Sequence, residues 1–253
     1  MSMSESHKNA ELPNEMQTII ESGMRYYDMV RSDIHGRYQS WEHCYGVFSK
    51  LKDKKLSKDD FDYLSLHLSF YLASWGMYRG SSFLLQRDYT VHIPAIQELM
   101  KSQYRQLWGI KCSALEQAEN LTILFTLSEA LKTIYNEIRI AANQSINKPA
   151  PSVGISDVLI TKILMGTMGC VPAYDRFFCS AVKHCKASSA WFSKQSIKKL
   201  CLLYEEHREI FEKCRAEMSQ GWIDYPQMKV IDMCFWQIGY DEDIAAAGTG
   251  DSE

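Results

Sequence analysis

Apolar residues in this chain recur at steps of three and four, the spacing of one helix face, and I-to-I+2 alternation of a half-buried strand is not found. One stripe follows Pro13 and runs past Tyr26, Tyr27 and Val30. A second opens at Ser40 and carries Trp41, Tyr45 and Phe48. Ser57, with Asp60 three positions on, reads as a capping box for a third helix. From Phe61 to Trp75 apolar residues cover most of that helix's circumference, which predicts a central, buried element. Gly76 and Gly80 bracket a break.

A fourth helix opens at Pro94 and stops near Gly109. The clearest stripe follows, from Leu115 through Leu131 and Tyr135 to Ala142. At 1.5 Å rise per residue it spans roughly 40 Å and predicts the spine of the fold. Ser156 caps the next helix, which ends in Gly166-Thr-Met-Gly169. Another begins near Tyr174. A single long helix is expected from Ser193 through Cys214, and a last one from Pro226 through Ile238.

These elements predict an all-α, orthogonal assembly of about nine or ten helices. Asn147-Lys-Pro-Ala-Pro-Ser-Val-Gly154 breaks any helix and suggests a division. The expected organisation is a disordered N-terminus over 1–12, a larger helical unit over 13–147, a linker or surface loop over 148–155, a smaller helical unit over 156–240, and an acidic disordered tail over 241–253. That tail holds five acids and no base.

Composition narrows the class without naming a function. The 253 residues are 46% hydrophobic with a net charge of -3, enough apolar material for a core and too little charge for disorder. Neither a secretory leader nor an apolar run of membrane length is present, so the expectation is a soluble, cytoplasmic protein without a membrane partner. The eight cysteines are scattered with no Cys-x-x-Cys pair, which favours buried reduced thiols over a metal site or disulfide framework. No cofactor fingerprint occurs, so no cofactor or metal is expected.

Three segments carry candidate chemistry. In Trp75-Gly-Met-Tyr-Arg-Gly-Ser-Ser82, two glycines flank Arg79 and two hydroxyls follow. Arg79 and Ser81 are candidate anion ligands, because glycines admit the backbone to an anion and a guanidinium forks onto phosphate or carboxylate. The alternative is a helix corner in which Arg79 pairs with Asp88. In Thr161–Phe178, a helix, a glycine-bounded turn and a rigid Val-Pro step lead to Asp175 at a helix start. There it serves as an N-cap or as an ionised site carboxylate, with Lys162 facing it across the turn and Arg176 as a further anion ligand. From Arg176 to Tyr204 there are six bases and no acid. Lys183, Lys186, Lys194, Lys198 and Lys199, with Trp191 among them, are the candidate nucleic-acid contacts. The alternative is a solvated helix face.

The run helix, Gly-containing turn, Val171-Pro172-Ala-Tyr-Asp175 and helix resembles one stretch of the helix-hairpin-helix DNA glycosylase superfamily. About twenty residues, 161–178, carry the resemblance. In that family an aspartate after such a proline serves base excision, and Asp175 is the matching position. The family's Leu-Pro-Gly-Val-Gly hairpin is absent, and Gly166-Thr-Met-Gly169 lies closer to the aspartate than that hairpin does. The chain also resembles uncharacterised bacterial helical proteins carrying similar Gly-Cys-Val-Pro-Ala-Tyr-Asp runs, a likeness that implies no function. The sequence therefore supports a helical binding protein whose partner is an unknown protein or small ligand, with a nucleic-acid-binding or base-processing protein as the second reading.

Overall fold

Eleven α-helices and three short 3-10 turns, with no strand, make up the described part of the chain, residues 14–144 and 153–248 of a computed structural model. The helices are α1 (Asn14–Ser32), α2 (Gln39–Leu51), α3 (Lys58–Ser74), α4 (Ile93–Leu99), α5 (Cys112–Leu115) and α6 (Ala118–Gln144) before residue 145. After residue 152 come α7 (Asp157–Thr167), α8 (Arg176–His184), α9 (Lys194–Glu206), α10 (Arg208–Met218) and α11 (Gln227–Gly248). Ten have seven residues or more, in keeping with the all-α expectation of nine or ten. Among the described residues no helix is long and apolar enough to cross a membrane.

The predicted caps form. Ser57 accepts from the Asp60 amide while the Asp60 carboxylate accepts from the Ser57 amide. Ser156 accepts from the Leu159 amide and starts α7. Six of the eight cysteines are buried and the other two are partly so.

The centre of the fold is not where the apolar periodicity places it. Gln227 to Gln237 of α11 and Leu159 to Thr167 of α7 are buried on every side. By contrast α3 leaves Tyr63, Leu66 and Phe70 about half exposed, and α6 buries one stripe from Leu121 to Tyr135. Lys162, Lys229 and Asp232 disguise the two central helices, because a charge in a sequence reads as surface unless its partner is known. α11 packs against α1 on one side and α8 on the other, and α7 against α2 and α3. Helices from both sides of the Pro/Gly segment thus share one apolar core. Residues 148–152 of that segment, and 1–13, lie outside the described residues.

Two further expectations are corrected. The helix after Ser193 is two helices, because His207 leaves helical geometry (φ -114°, ψ 30°) and lets Phe211 stack on Tyr204 with centroids 4.7 Å apart. The acidic tail is helical as far as Gly248. Its first carboxylates have partners: Asp241 pairs with Arg25, Glu242 with His184 and Asp243 with Arg176. Residues 249–253 lie outside the described part.

Candidate functional site

Lys162 sits on the buried face of α7, two turns after the Ser156 cap, and Asp175 opens α8 beyond the Gly166–Tyr174 turn. The Lys162 ammonium lies 3.3 Å from the Asp175 carboxylate, both nearly buried. Asp175 also caps α8 by accepting from the Phe178 amide at 3.3 Å. It is therefore cap and ion-pair partner at once. The same ammonium donates to the Trp75 carbonyl at 3.0 Å, which satisfies an end of α3.

A second buried pair lies behind the first. Lys229 bonds Asp232 at 2.9 Å within α11, and Asp232 accepts from the Ala173 amide at 2.9 Å. Burial pushes the Asp232 carboxyl up, against the opposing pull of Lys229. The Lys229 ammonium lies about 5 Å from the ring centres of Tyr26 and Trp41. Between the two pairs is a cavity of about 10 Å³, walled also by Tyr71, Trp75 and Trp236. That is about the room one water needs and far below a ligand pocket of several hundred Å³. In this closed arrangement no nucleobase fits between Lys162 and Asp175. The Tyr71 hydroxyl and the Trp236 indole N–H are buried there without a hydrogen bond among the described residues.

A cleft of ligand size begins at the residue after Trp75. The turn Gly76–Ser82, the start of α7 and the end of α6 enclose a cleft of about 550 Å³. Arg79, Ser81 and Ser82 form one wall, Arg139 a second, and Gly154 to Ser156 a third. Met77, Phe83 and Leu159 supply an apolar side. Among the described residues no acid lines it. Arg79 forms no ion pair among the described residues, and Asp88, its alternative partner, instead caps a 3-10 turn by accepting from the Thr90 amide. Arg139 donates only to neutral groups, Asn136 Oδ1 at 2.8 Å and the Val153 carbonyl at 2.5 Å, and its Nε is buried unbonded. Residues 145–152, next in sequence to these walls, contain one lysine and no acid. Two guanidiniums thus face the cleft with no acid among its described lining residues, beside the start of α7, whose first turn carries Asp157 paired with Lys132.

The Arg79 turn is fixed at both ends. Gly76 (φ +75°) and Gly80 (φ +59°) supply its left-handed corners, and the Arg79 guanidinium folds over Gly76, where a Cβ would come within 2.8 Å of its Nε. Lys162 holds the Trp75 carbonyl, and the Trp75 indole donates to Ser40 at 3.1 Å. At the far end, the Tyr78 hydroxyl bonds His92 Nε2 at 2.7 Å and the Tyr135 hydroxyl bonds His92 Nδ1 at 2.6 Å. Burial pushes His92 down to about 3, so the ring is neutral, donating through one nitrogen and accepting through the other. Phe83 of the cleft packs edge-on against Tyr135, centroids 6.3 Å apart.

The structure gathers some predicted residues and disperses others. Arg79 and Ser81 share the cleft, and Lys162 with Asp175 braces its back. Arg176 is elsewhere: it pairs with Asp243 at 3.0 Å and lies over the Phe177 ring. Lys183, Lys186, Lys198 and Lys199 are exposed on α8, α9 and the turn between them. Lys199 shares a groove with Glu15 and Glu206, and Lys194 reaches Thr122 at 3.0 Å. Trp191 is 78% exposed. None of them lines the Lys162–Asp175 cavity or the arginine cleft. Arg139 was not singled out in the sequence, where it reads as the solvated side of a long helix. Its signal was its position four residues after the core residue Tyr135. Among the described residues no three His, Cys, Asp or Glu side chains gather as a metal site requires. No family model matches the chain, and neither a curated protein nor a solved structure matches it significantly.

Proposed function

We propose that this protein is a helical binding protein that takes an anionic ligand, or an anionic group of a partner, in the cleft between Arg79 and Arg139. One observation carries the reading: two guanidiniums face a ligand-sized cleft lined by no acid among the described residues. An exposed guanidinium and a half-buried one on such a cleft can each make charge-assisted hydrogen bonds to an anion, and each such contact adds about 1.5–3 kcal/mol of binding. The buried Lys162–Asp175 pair supports the site as a brace for the Arg79 turn. The nucleic-acid reading, with Asp175 as catalytic carboxylate by resemblance to the glycosylases, has less support. Its lysines lie apart from Asp175, and Glu242 and Asp243 bring acids from α11 to the α8 side of the basic stretch.

The test is calorimetric titration of the purified chain with small anions, compared with Arg79→Gln. Arg79 is exposed and unpaired, so the variant keeps its helicity and melting temperature and loses affinity by about tenfold or more. Unchanged affinity in the variant refutes the assignment.

A further inference from the structure

The chemistry of the cleft walls narrows the anion. Arg79 and Arg139 carry two formal positive charges. A phosphomonoester, at about -1.5 to -2 near neutral pH, matches that better than a single carboxylate. Donors also outnumber what two carboxylate oxygens accept: Arg79 makes no ion pair and Ser81 presents a hydroxyl with no hydrogen bond among the described residues, across from the Arg139 guanidinium. Three phosphoryl oxygens use them more fully.

The remaining walls require more than a phosphate. A bare phosphate fills a small fraction of 550 Å³. Met77, Phe83, Ile155 and Leu159 give the remaining lining, with Ser82, Ser156 and three glycines, an apolar side. Phe83 is held by its packing on Tyr135, itself tied to His92, so a flat face is already oriented there. Orienting it beforehand lowers the ordering cost of stacking.

We infer that the cleft takes a phosphomonoester of mononucleotide size, its phosphate between Arg79 and Arg139 and its planar body against Phe83. The inference rests on the anion-binding reading above. The full chain is titrated with adenosine monophosphate, flavin mononucleotide, adenosine, inorganic phosphate and succinate. At least one of the two monophosphates binds about tenfold or more tightly than adenosine and than inorganic phosphate. Arg139→Gln weakens both ester and phosphate, and Phe83→Leu weakens the ester alone. Binding of succinate without phosphate keeps the anion site and overturns the phosphomonoester. Phosphate binding as tightly as both esters overturns the planar body, as does a Phe83→Leu variant that melts like the parent and binds the ester equally well. Binding of no anion at all overturns the anion-binding reading itself.

Discussion

The Lys162 ammonium stands 3.3 Å from the Asp175 carboxylate and 3.0 Å from the Trp75 carbonyl, so one buried cation ties the start of α8 to the end of α3. Removing one partner of such a pair leaves an unpaired charge in low dielectric, which costs more than the pair contributes. Lys162→Met is expected to destabilise by about 3–5 kcal/mol. Asp175→Asn, which keeps the helix cap, costs less. The double variant loses less than the sum of the singles by about 1 kcal/mol or more, read from urea unfolding. Additive losses would show that the two side chains do not interact.

His92 predicts a pH dependence. Its folded value is about 3 and its ordinary value 6.5. Between these, the unfolded chain binds a proton that the folded chain does not, so stability falls as pH drops from 6.5 toward 3. The slope reaches about 1.4 kcal/mol per pH unit from this group. Carboxylates titrate in the same range, so the measurement is the difference between wild type and His92→Phe. The variant is less stable at neutral pH by about 1–3 kcal/mol, since two tyrosine hydroxyls lose their partner. That deficit shrinks with acidification. A gap that stays constant from neutral pH to pH 4 would contradict a neutral His92.

Gly239 marks the closest approach of α11 to α8. A Cβ there would stand 2.1 Å from the Phe177 carbonyl oxygen, a backbone atom that cannot swing away. Gly239→Ala is expected to lower stability by about 1–3 kcal/mol as the helices part. Gly248→Ala meets nothing within 4 Å and gains helix propensity, so it is neutral or slightly stabilising. Equal melting temperatures for the two variants would mean that α8 and α11 are not packed this closely.

Periods of three and four, the caps at Ser57 and Ser156, and the scarcity of glycine and proline determine that this chain is helical and where most helices begin. They act within a few residues, so they are written locally. The turn holding Arg79 and the opposition of Lys162 to Asp175 were legible for the same reason. What only the tertiary structure decided is which charges are neutralised. Lys229 and Asp232, three positions apart, look like a solvated pair on a helix face until α1 and α8 cover α11 and bury both. Arg176 looks like part of a free basic patch until α11 brings Asp243 across 67 positions. Arg79 and Arg139 are 60 positions apart, and only packing shows that they share a cleft. Electrostatic energy depends on distance in space, and local spacing carries no record of a partner so far along the chain.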